Sequence, residues 1–249
     1  MSWYSSRCGI IADLHSNFAA VRAVLSALAK EEVGTVLCAG DIVGYGPSPC
    51  EVIDALRDLP LQSIRGNHDR YALGEDSEQI RAATAEAVEY TRRVLTPACH
   101  GFLEGIEDTM LYQDRVLLFH GSLRNRDEYI LTPEAAVTSL RLLRSDYAGI
   151  YLAFFGHTHL PTIIGDGKVL YEIKPSSTVK LKAMTPYIIN PGSVGQPRDG
   201  NPDAAYAVLD TAERTVTFRR VPYDIDDTCQ RVLKAGLQRH LGERLRVGK

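Results

Sequence analysis

The side chains able to do chemistry gather in five short clusters: Asp13-Leu14-His15, Gly40-Asp41, Gly66-Asn67-His68-Asp69, His120-Gly121 and Gly156-His157-Thr158-His159. Five of the seven histidines lie in them, whereas His100 and His240 stand apart and read as ordinary structural residues. Alone, Gly40-Asp41 after an apolar run reads as a turn cap. Its four companions change that reading. Asp13, His15, Asp41, Asn67, His120, His157 and His159 supply two carboxylates, one amide and four imidazoles. Those seven oxygen and nitrogen donors are too many for one tetrahedral zinc, and no thiolate is among them. They suit two divalent first-row ions sharing one carboxylate. Two dications less two carboxylates leave a doubly positive site, which attracts phosphate and stabilises the charge that builds up in phosphoryl transfer. Such a pair also acidifies a water bridging it, so that hydroxide serves as nucleophile without a protein base.

His68 is left over from this donor set. Its neighbour Asn67 is the ligand, so the imidazole can face the open side of the site and act as general acid for the departing oxygen. Asp69 can hold that ring as an imidazolium, or cap the next turn, or do both.

The elements that must position these clusters alternate. Cys8–Ala12, Thr35–Cys38 and Leu61–Arg65 are short apolar runs that read as strands, each delivering polar residues at its C-terminal end. Between them lie two helices. Phe18, Val21, Val24, Leu25 and Leu28 form the apolar stripe of the first, capped by Ser16 or Asn17 and ended by Gly34. Pro47 and Pro49 open the second, which Pro60 stops. Glu75–Leu95 and Pro97–Gly105 read as helices, and Leu111-Tyr112 with Val116–Phe119 as a hairpin turned at Gln113-Asp114. A helix over Pro133–Leu143 and a strand over Ile150–Phe155 follow. Then come strands at Thr162–Ile164, Val169–Ile173, Tyr187–Ile189, Ala205–Leu209 and Thr215–Val221, with Asp166-Gly167 turning one hairpin. A helix over Asp224–Leu241 closes the pattern. No composition shift marks a boundary, so residues 1–249 read as a single domain of two packed sheets with helices outside. The helical segment at about 70–110 is inserted between two of the delivering strands and is expected to cap the site.

Composition narrows the function classes. The chain has 249 residues, 45% of them hydrophobic and 24% charged, with a formal net charge of -3. A general nucleic-acid binder would be basic, so none is expected here. Five cysteines without a CxxC pair read as reduced thiols of a cytoplasmic protein. No signal-peptide region opens the chain, and Ile150–Phe155 is far too short to span a bilayer, so no membrane partner is expected. There is no Walker A sequence and no GxGxxG. Gly192-Ser193-Val194-Gly195 is one residue too tight for an esterase elbow. His68-Asp69 ends a strand, which excludes the all-helical HD phosphohydrolases.

In their order along the chain, Asp13-x-His15, Gly40-Asp41-x-x-Gly44, Gly66-Asn67-His68-Asp69, His120-Gly121 and Gly156-His157-x-His159 resemble the motifs of the calcineurin-like metallophosphoesterase superfamily. Asn190-Pro191-Gly192-Ser193-Val194-Gly195 looks like the C-terminal signature of its small prokaryotic branch of phosphodiesterases and phosphatases. The resemblance implies an α/β fold, a two-sheet αββα sandwich. It puts Asp13, His15, Asp41 and His159 on one metal and Asp41, Asn67, His120 and His157 on the other, with His68 as acid and Asp69 beside it. The expected cofactors are two divalent transition-metal ions, manganese foremost, with iron, nickel and zinc as alternatives. Where protein phosphatases of the superfamily carry Asp-Arg-Gly, this chain has Gly44-Tyr45-Gly46. The arginine that grips phosphate there is missing, which points away from phosphoproteins towards small phosphodiesters, phosphomonoesters or nucleotides. Arg124, Arg126 and Arg198 are the candidate replacements, and Tyr71, Tyr90 and Tyr129 the candidate stacking residues. The rival reading is a non-catalytic scaffolding or sensing protein that keeps the fold, but such proteins tend to lose ligands or the acid, and here every position is filled. Oligomeric state is open, and a homo-oligomer is compatible with the sequence.

Overall fold

In the computed structural model, β1 (Arg7–Ile11), β2 (Thr35–Cys38) and β3 (Leu61–Ser63) run parallel, in the order β3-β2-β1. The crossovers between them are α1 (Phe18–Lys30) and α2 (Pro49–Arg57), as the helical periodicity requires. The Asn17 side chain accepts from the Ala20 N–H and caps α1, which ends at Glu31, before Gly34. Antiparallel β11 (Ala204–Asp210), β12 (Thr215–Val221) and β9 (Thr178–Lys180) complete this sheet beyond β1. The structure describes residues 7–75, 80, 82–165, 167–170 and 173–249.

The second sheet has the order β4-β5-β6-β10-β7-β8. Its centre, β5 (Val116–Leu118), β6 (Leu152–Phe154) and β10 (Tyr187–Asn190), is again parallel, and α6 (Pro133–Asp146) makes the crossover from β5 to β6. Antiparallel hairpins flank it: β4 (Met110–Tyr112) against β5, and β7 (Thr162–Gly165) with β8 (Lys168–Leu170) beyond β10. Gln113 and Asp114 turn the first hairpin, where expected, with φ of 49° and 53°. Asp166 of the second turn lies outside the described residues.

Three apolar layers hold the sheets and helices together. Ile10, Leu37, Leu118, Phe154, Ile189 and Phe218 fill the space between the sheets. Val21, Val24, Leu28, Ile53 and Leu56 seat α1 and α2 on the outer face of the first sheet, and Ala136 and Leu143 seat α6 on the second. The result is the expected αββα sandwich. Between β3 and β4 the chain forms α3 (Asn67–Ala72), α4 (Ala82–Val94) and α5 (Pro97–Glu104). The helix expected from Glu75 starts at Ala82 in the structure, and residues 76–79 and 81 lie outside the described residues.

Three expectations need correction. β3 stops at Ser63: Ile64 N–H still donates to Cys38 O, but Ile64 then bridges to Glu107, whose carbonyl accepts from Arg65 N–H at 2.8 Å. β9 carries little apolar character and had no sequence signal. The closing helix is broken: α7 (Ile225–Lys234) ends before Gly236, whose φ of +73° no helix accommodates, and the chain resumes as α8 (His240–Glu243) and a 3₁₀ turn over Arg244–Val247. Among the described residues no helix is long and apolar enough to cross a membrane.

Candidate metal centre

All six parallel strands point their C-terminal ends at one place, the edge where open α/β sheets bind ligands. β1 delivers Asp13 and His15, β2 delivers Asp41, and β3 delivers Asn67 and His68. From the other sheet β5 delivers His120, β6 delivers His157 and His159, and β10 leads into Asn190–Gly195. The ends are stitched together by backbone and side-chain bonds. Leu14 and His15 N–H both donate to Asp41 O, and the Ser193 hydroxyl donates to Asp13 O at 2.8 Å. Asn190 donates to Gly156 O and to the Thr158 hydroxyl. The C-terminal signature is therefore a clamp on the two histidine- and aspartate-bearing loops.

The structure brings the seven predicted donors together in two groups that meet at Asp41. Ligand atoms of Asp13, His15, Asp41 and His159 lie within 4.8 Å of one another, and so do those of Asp41, His120 and His157. Asp41 Oδ2 stands 3.6 Å from His15 Nε2 and 3.2 Å from His120 Nε2, which makes it the atom common to both groups. Asn67 Oδ1 joins the second group, 3.2 Å from His120 Nε2. All seven residues are buried.

Backbone carbonyls set the imidazole tautomers. Nδ1 of His15, His120 and His159 donates to the carbonyls of Val43, Ala39 and Gln196, at 3.2, 2.8 and 2.6 Å. Nε2 of His157 donates to Asp127 O at 3.1 Å. In His15, His159 and His157 the opposite nitrogen is left with its lone pair turned into the site, while His120 Nε2 faces Asp41 Oδ2 and Asn67 Oδ1. His15 Nε2 and His159 Nε2 face each other at 3.0 Å in this way, an arrangement that repels unless a cation lies between the lone pairs. Asp13 Oδ1 accepts from His157 N–H, while its Oδ2 is buried without a hydrogen-bond partner. These residues fit divalent metal ions.

Electrostatics agree with that fit. Burial drives His15 and His159 well below the ordinary imidazole range and His157 down to about 3, so these rings stay neutral and ligand-ready. Burial alone would raise Asp41, but His120, His68 and His15 around it hold the carboxyl well below its usual value. Burial lowers His120, yet the Asp41 charge overrides it and puts the ring at about 9. Burial raises Asp13 to about 7. Backbone strain is concentrated here as well: Asp13, His15, Asp41, His157 and His159 all have φ between 47° and 69°, each costing roughly 1–3 kcal/mol that the surrounding bonds must offset.

His68 and Asp69 part company. The Asp69 carboxylate accepts from the N–H groups of Ile42, Val43 and Gly66, at 3.2, 2.9 and 2.9 Å. Its role is to cap α3 and fasten the Asp41 loop, and it does not hold the His68 ring. His68 donates its backbone N–H to Asp41 Oδ1 at 2.9 Å. Its ring packs against Tyr45, His15 and Tyr71, with centroids 4.3, 4.8 and 5.7 Å away, and its Nδ1 has no hydrogen-bond partner. Gly44, at φ +94°, is required opposite it, since a Cβ there would stand 2.3 Å from that Nδ1.

A cavity of about 420 Å³ opens beside the donors, lined by Asn67, His68 and His157 on one side and by Tyr45, Tyr129 and Arg198 on another. Tyr129 stacks on His157, with centroids 3.8 Å apart. Of the three candidate arginines only Arg198 lines this cavity; Arg124 pairs with Glu128 and Arg126 with Asp108. Tyr71 lines it too, whereas Tyr90 donates to Pro47 O and packs among Ala87, Val232 and Leu241. Sequence reasoning missed Tyr45, the Arg70–Asp127 pair behind His157, and the rim residues His240, Leu241 and Arg244. Only Tyr45 had a signal, its place in the Asp41 motif. His100, by contrast, is a surface residue 3.3 Å from Glu104.

Comparison with known proteins meets this geometry from the outside. The chain is 32% identical over 252 residues to the uncharacterised protein MJ0912 of Methanocaldococcus jannaschii, covering 98% of this chain and 99% of that one. A crystal structure of a metallophosphoesterase from Sphaerobacter thermophilus superposes with a TM-score of 0.84 at 35% identity, over 98% of this chain and 99% of the other. Phosphodiesterase YfcE of Escherichia coli is 23% identical over 208 residues, 80% of this chain and 84% of YfcE. The model of the calcineurin-like phosphoesterase superfamily domain matches residues 7–214, which include the C-terminal ends of all six parallel strands. With its motifs, its sandwich and its donor cluster in agreement, the chain belongs to the calcineurin-like phosphoesterase superfamily.

Proposed function

We propose that this protein is a dinuclear metal-dependent hydrolase of small phosphoesters, with phosphodiesters and nucleotides foremost. The carrying observation is the pair of donor groups sharing Asp41 on the wall of a cavity of small-molecule size. Asp13, His15, Asp41 and His159 would hold one ion, and Asp41, Asn67, His120 and His157 the other. Such ions supply Lewis-acid stabilisation of phosphoryl charge and acidify water. Manganese suits the four imidazoles better than magnesium, which prefers oxygen shells and keeps its waters. The diesterase activity named for YfcE favours the diester reading for this relative.

The chain's own residues do the rest. The carbonyls of Val43, Ala39, Gln196 and Asp127 keep the four ligand rings in the tautomer that faces the site. Arg198 offers its guanidinium to the phosphoryl oxygens, in place of the arginine absent at Tyr45. His68 gives a proton to the departing oxygen. In the unliganded protein burial pulls this ring down to about 4; the Asp41 charge works upward against it, and Arg198 and His120 oppose the ring's charge. The negative charge of the bound ester is what raises it, so the ring becomes an acid only with substrate in place. Residues 70–110 contribute Tyr71 and Thr84 to the cavity wall and act as a cap that favours small substrates over folded proteins.

The test is direct. Purified protein reconstituted with manganese is expected to bind about two ions per chain and to hydrolyse small diesters or monoesters. A chelator should abolish that activity and manganese restore it. Stoichiometric metal with no turnover on any diester, monoester or nucleotide would overturn the hydrolase reading in favour of a binding role.

A further inference from the structure

The four imidazoles of the donor set are not held alike. The carbonyls that fix His15, His120 and His159 belong to Val43, Ala39 and Gln196, all buried residues just beyond β2 and β10. His157 is fixed by Asp127 O, on the loop that follows β5, where Arg124, Asn125 and Arg126 are exposed. A carbonyl on an exposed loop orients a ring only as well as the loop itself is held. Asp127 is held through its own side chain: the carboxylate pairs with the guanidinium of Arg70, which is fully buried. A buried guanidinium is costly to leave without an anion, so this contact is a firm one. The other ion pair on the loop, Arg126 with Asp108 at 2.7 Å, lies at the surface, where such pairs contribute little.

Arg70 stands on α3 three residues after Asn67, and residues at that spacing share a helix face. One buried ion pair thus joins the helix that begins with the Asn67 donor to the loop that orients the His157 ring. Those two donors come from different sheets, β3 of the first and β6 of the second, so no strand pairing fixes the distance between them. We propose that Arg70 and Asp127 are positioning residues for the metal ion assigned to Asn67, His120 and His157, with Arg70 acting through Asp127 on the ring of His157. The group of Asp13, His15 and His159 is tied differently. The Ser193 hydroxyl donates to Asp13 O, and His157 reaches Asp13 Oδ1 through its backbone N–H and not through its ring. Loss of the pair is therefore expected to loosen one ion and spare the other. This rests on the dinuclear reading above.

The experiment titrates manganese into chelator-treated protein and reads the stepwise dissociation constants by calorimetry, for the wild type, Arg70→Met, Arg70→Lys and the surface control Arg126→Met. Arg70→Met keeps an apolar stem in the buried site and leaves the Asp127 carboxylate free to turn to solvent. It should weaken one equivalent about 10–100-fold, the usual loss when the group orienting a metal-binding imidazole is removed, and leave the other within about threefold. Arg70→Lys, which keeps the charge but not the planar fork, should recover part of that loss, and Arg126→Met should change neither constant. Asp127→Asn breaks the pair from its other side at almost unchanged shape and should weaken the same equivalent. In a His157→Ala background, where that ion has already lost its donor, Arg70→Met should add nothing to the effect on metal binding. Two ions weakened alike, neither weakened, or a full further loss on top of His157→Ala would overturn the positioning role. A merely structural pair would lower the melting temperature of the metal-free protein without separating the two constants, and that result overturns it too. A wild type that takes up one ion, itself weakened by Arg70→Met, would keep the positioning role and sink the dinuclear reading.

Discussion

Replacing His68 by alanine tests the proposed proton delivery apart from metal binding. The backbone N–H of residue 68 would still donate to Asp41 Oδ1, and Asn67 and Asp41 would keep their places, so both ions should stay. What disappears is the imidazole between Tyr45, His15 and Tyr71. Losing its packing costs stability, but burial already disfavours the ring's charged form, holding it at about 4. The net destabilisation is expected to be about 1–2 kcal/mol, within the common range for buried substitutions. For esters with an alkoxide leaving group the rate should fall roughly 10²–10⁴-fold, the range for a lost general acid. That corresponds to about 2.7–5.5 kcal/mol of barrier. A 4-nitrophenolate leaves without a proton, so its esters should lose roughly tenfold or less. The assay is steady-state kinetics on the two ester classes, with metal content measured on the same samples. His68→Gln, which keeps a hydrogen-bond donor but transfers no proton, should behave like alanine. Equal losses on good and poor leaving groups with both metals retained would refute the acid role. Loss of one ion would make His68 a ligand instead.

Asp69→Asn should damage the fold more than the chemistry, because the carboxylate accepts from three buried N–H groups and the amide offers only one oxygen; at roughly 1–3 kcal/mol for an unsatisfied buried donor, chemical denaturation should show a loss of about 2 kcal/mol or more. A selective loss on poor leaving groups at full stability would contradict this. Asp41→Asn should lower the metal content of both sites, since Oδ2 is common to them, whereas His159→Ala should empty mainly one; elemental analysis decides, and a stoichiometry of one unchanged by Asp41→Asn would sink the dinuclear reading. Chelator-treated protein should lose thermal stability as pH falls below about 6.5. His15, His159, His68 and His157 are all depressed, so the unfolded chain binds four protons in a window where the folded chain resists them. Asp13 and Asp69, raised to about 7 and about 6, act in the opposite sense there, leaving a net uptake of roughly two protons on unfolding. His120, at about 9, is protonated in both states below pH 6.5 and loses its contribution only as pH rises towards 9. A melting temperature that is flat between pH 7 and 5 would contradict this balance.

Much of this protein was legible in the chain because strands and turns write local signatures. β1, β2, β5 and β6 are apolar runs broken by Asp, His or Gly, and that pattern alone placed Asp13, Asp41, His120 and the His157–His159 pair at strand ends. The turn at Gln113-Asp114 and the crossover helices are local in the same sense. The two-sheet sandwich and the donor set came from the same signals, taken together in order.

Other features depend on contacts between residues far apart in sequence, to which local patterns are blind. Asp69 stands beside His68 in the chain, yet two of the three N–H groups that bind its oxygens are more than twenty residues away, and the residue types of Gly66–Asp69 do not separate a cap from an imidazolium partner. The tautomer of each ligand ring is chosen by a carbonyl such as Val43 or Gln196, whose identity any residue can supply because the bond is to backbone. Arg124, Arg126 and Arg198 look alike in sequence, and only packing decides that two find carboxylates while the third lines the cavity. Gly236 breaks the expected closing helix and so turns Leu241 and Arg244 back onto that cavity. The chemistry was written locally in residue types, and its electrostatic setting was decided by which distant groups the fold brought into contact.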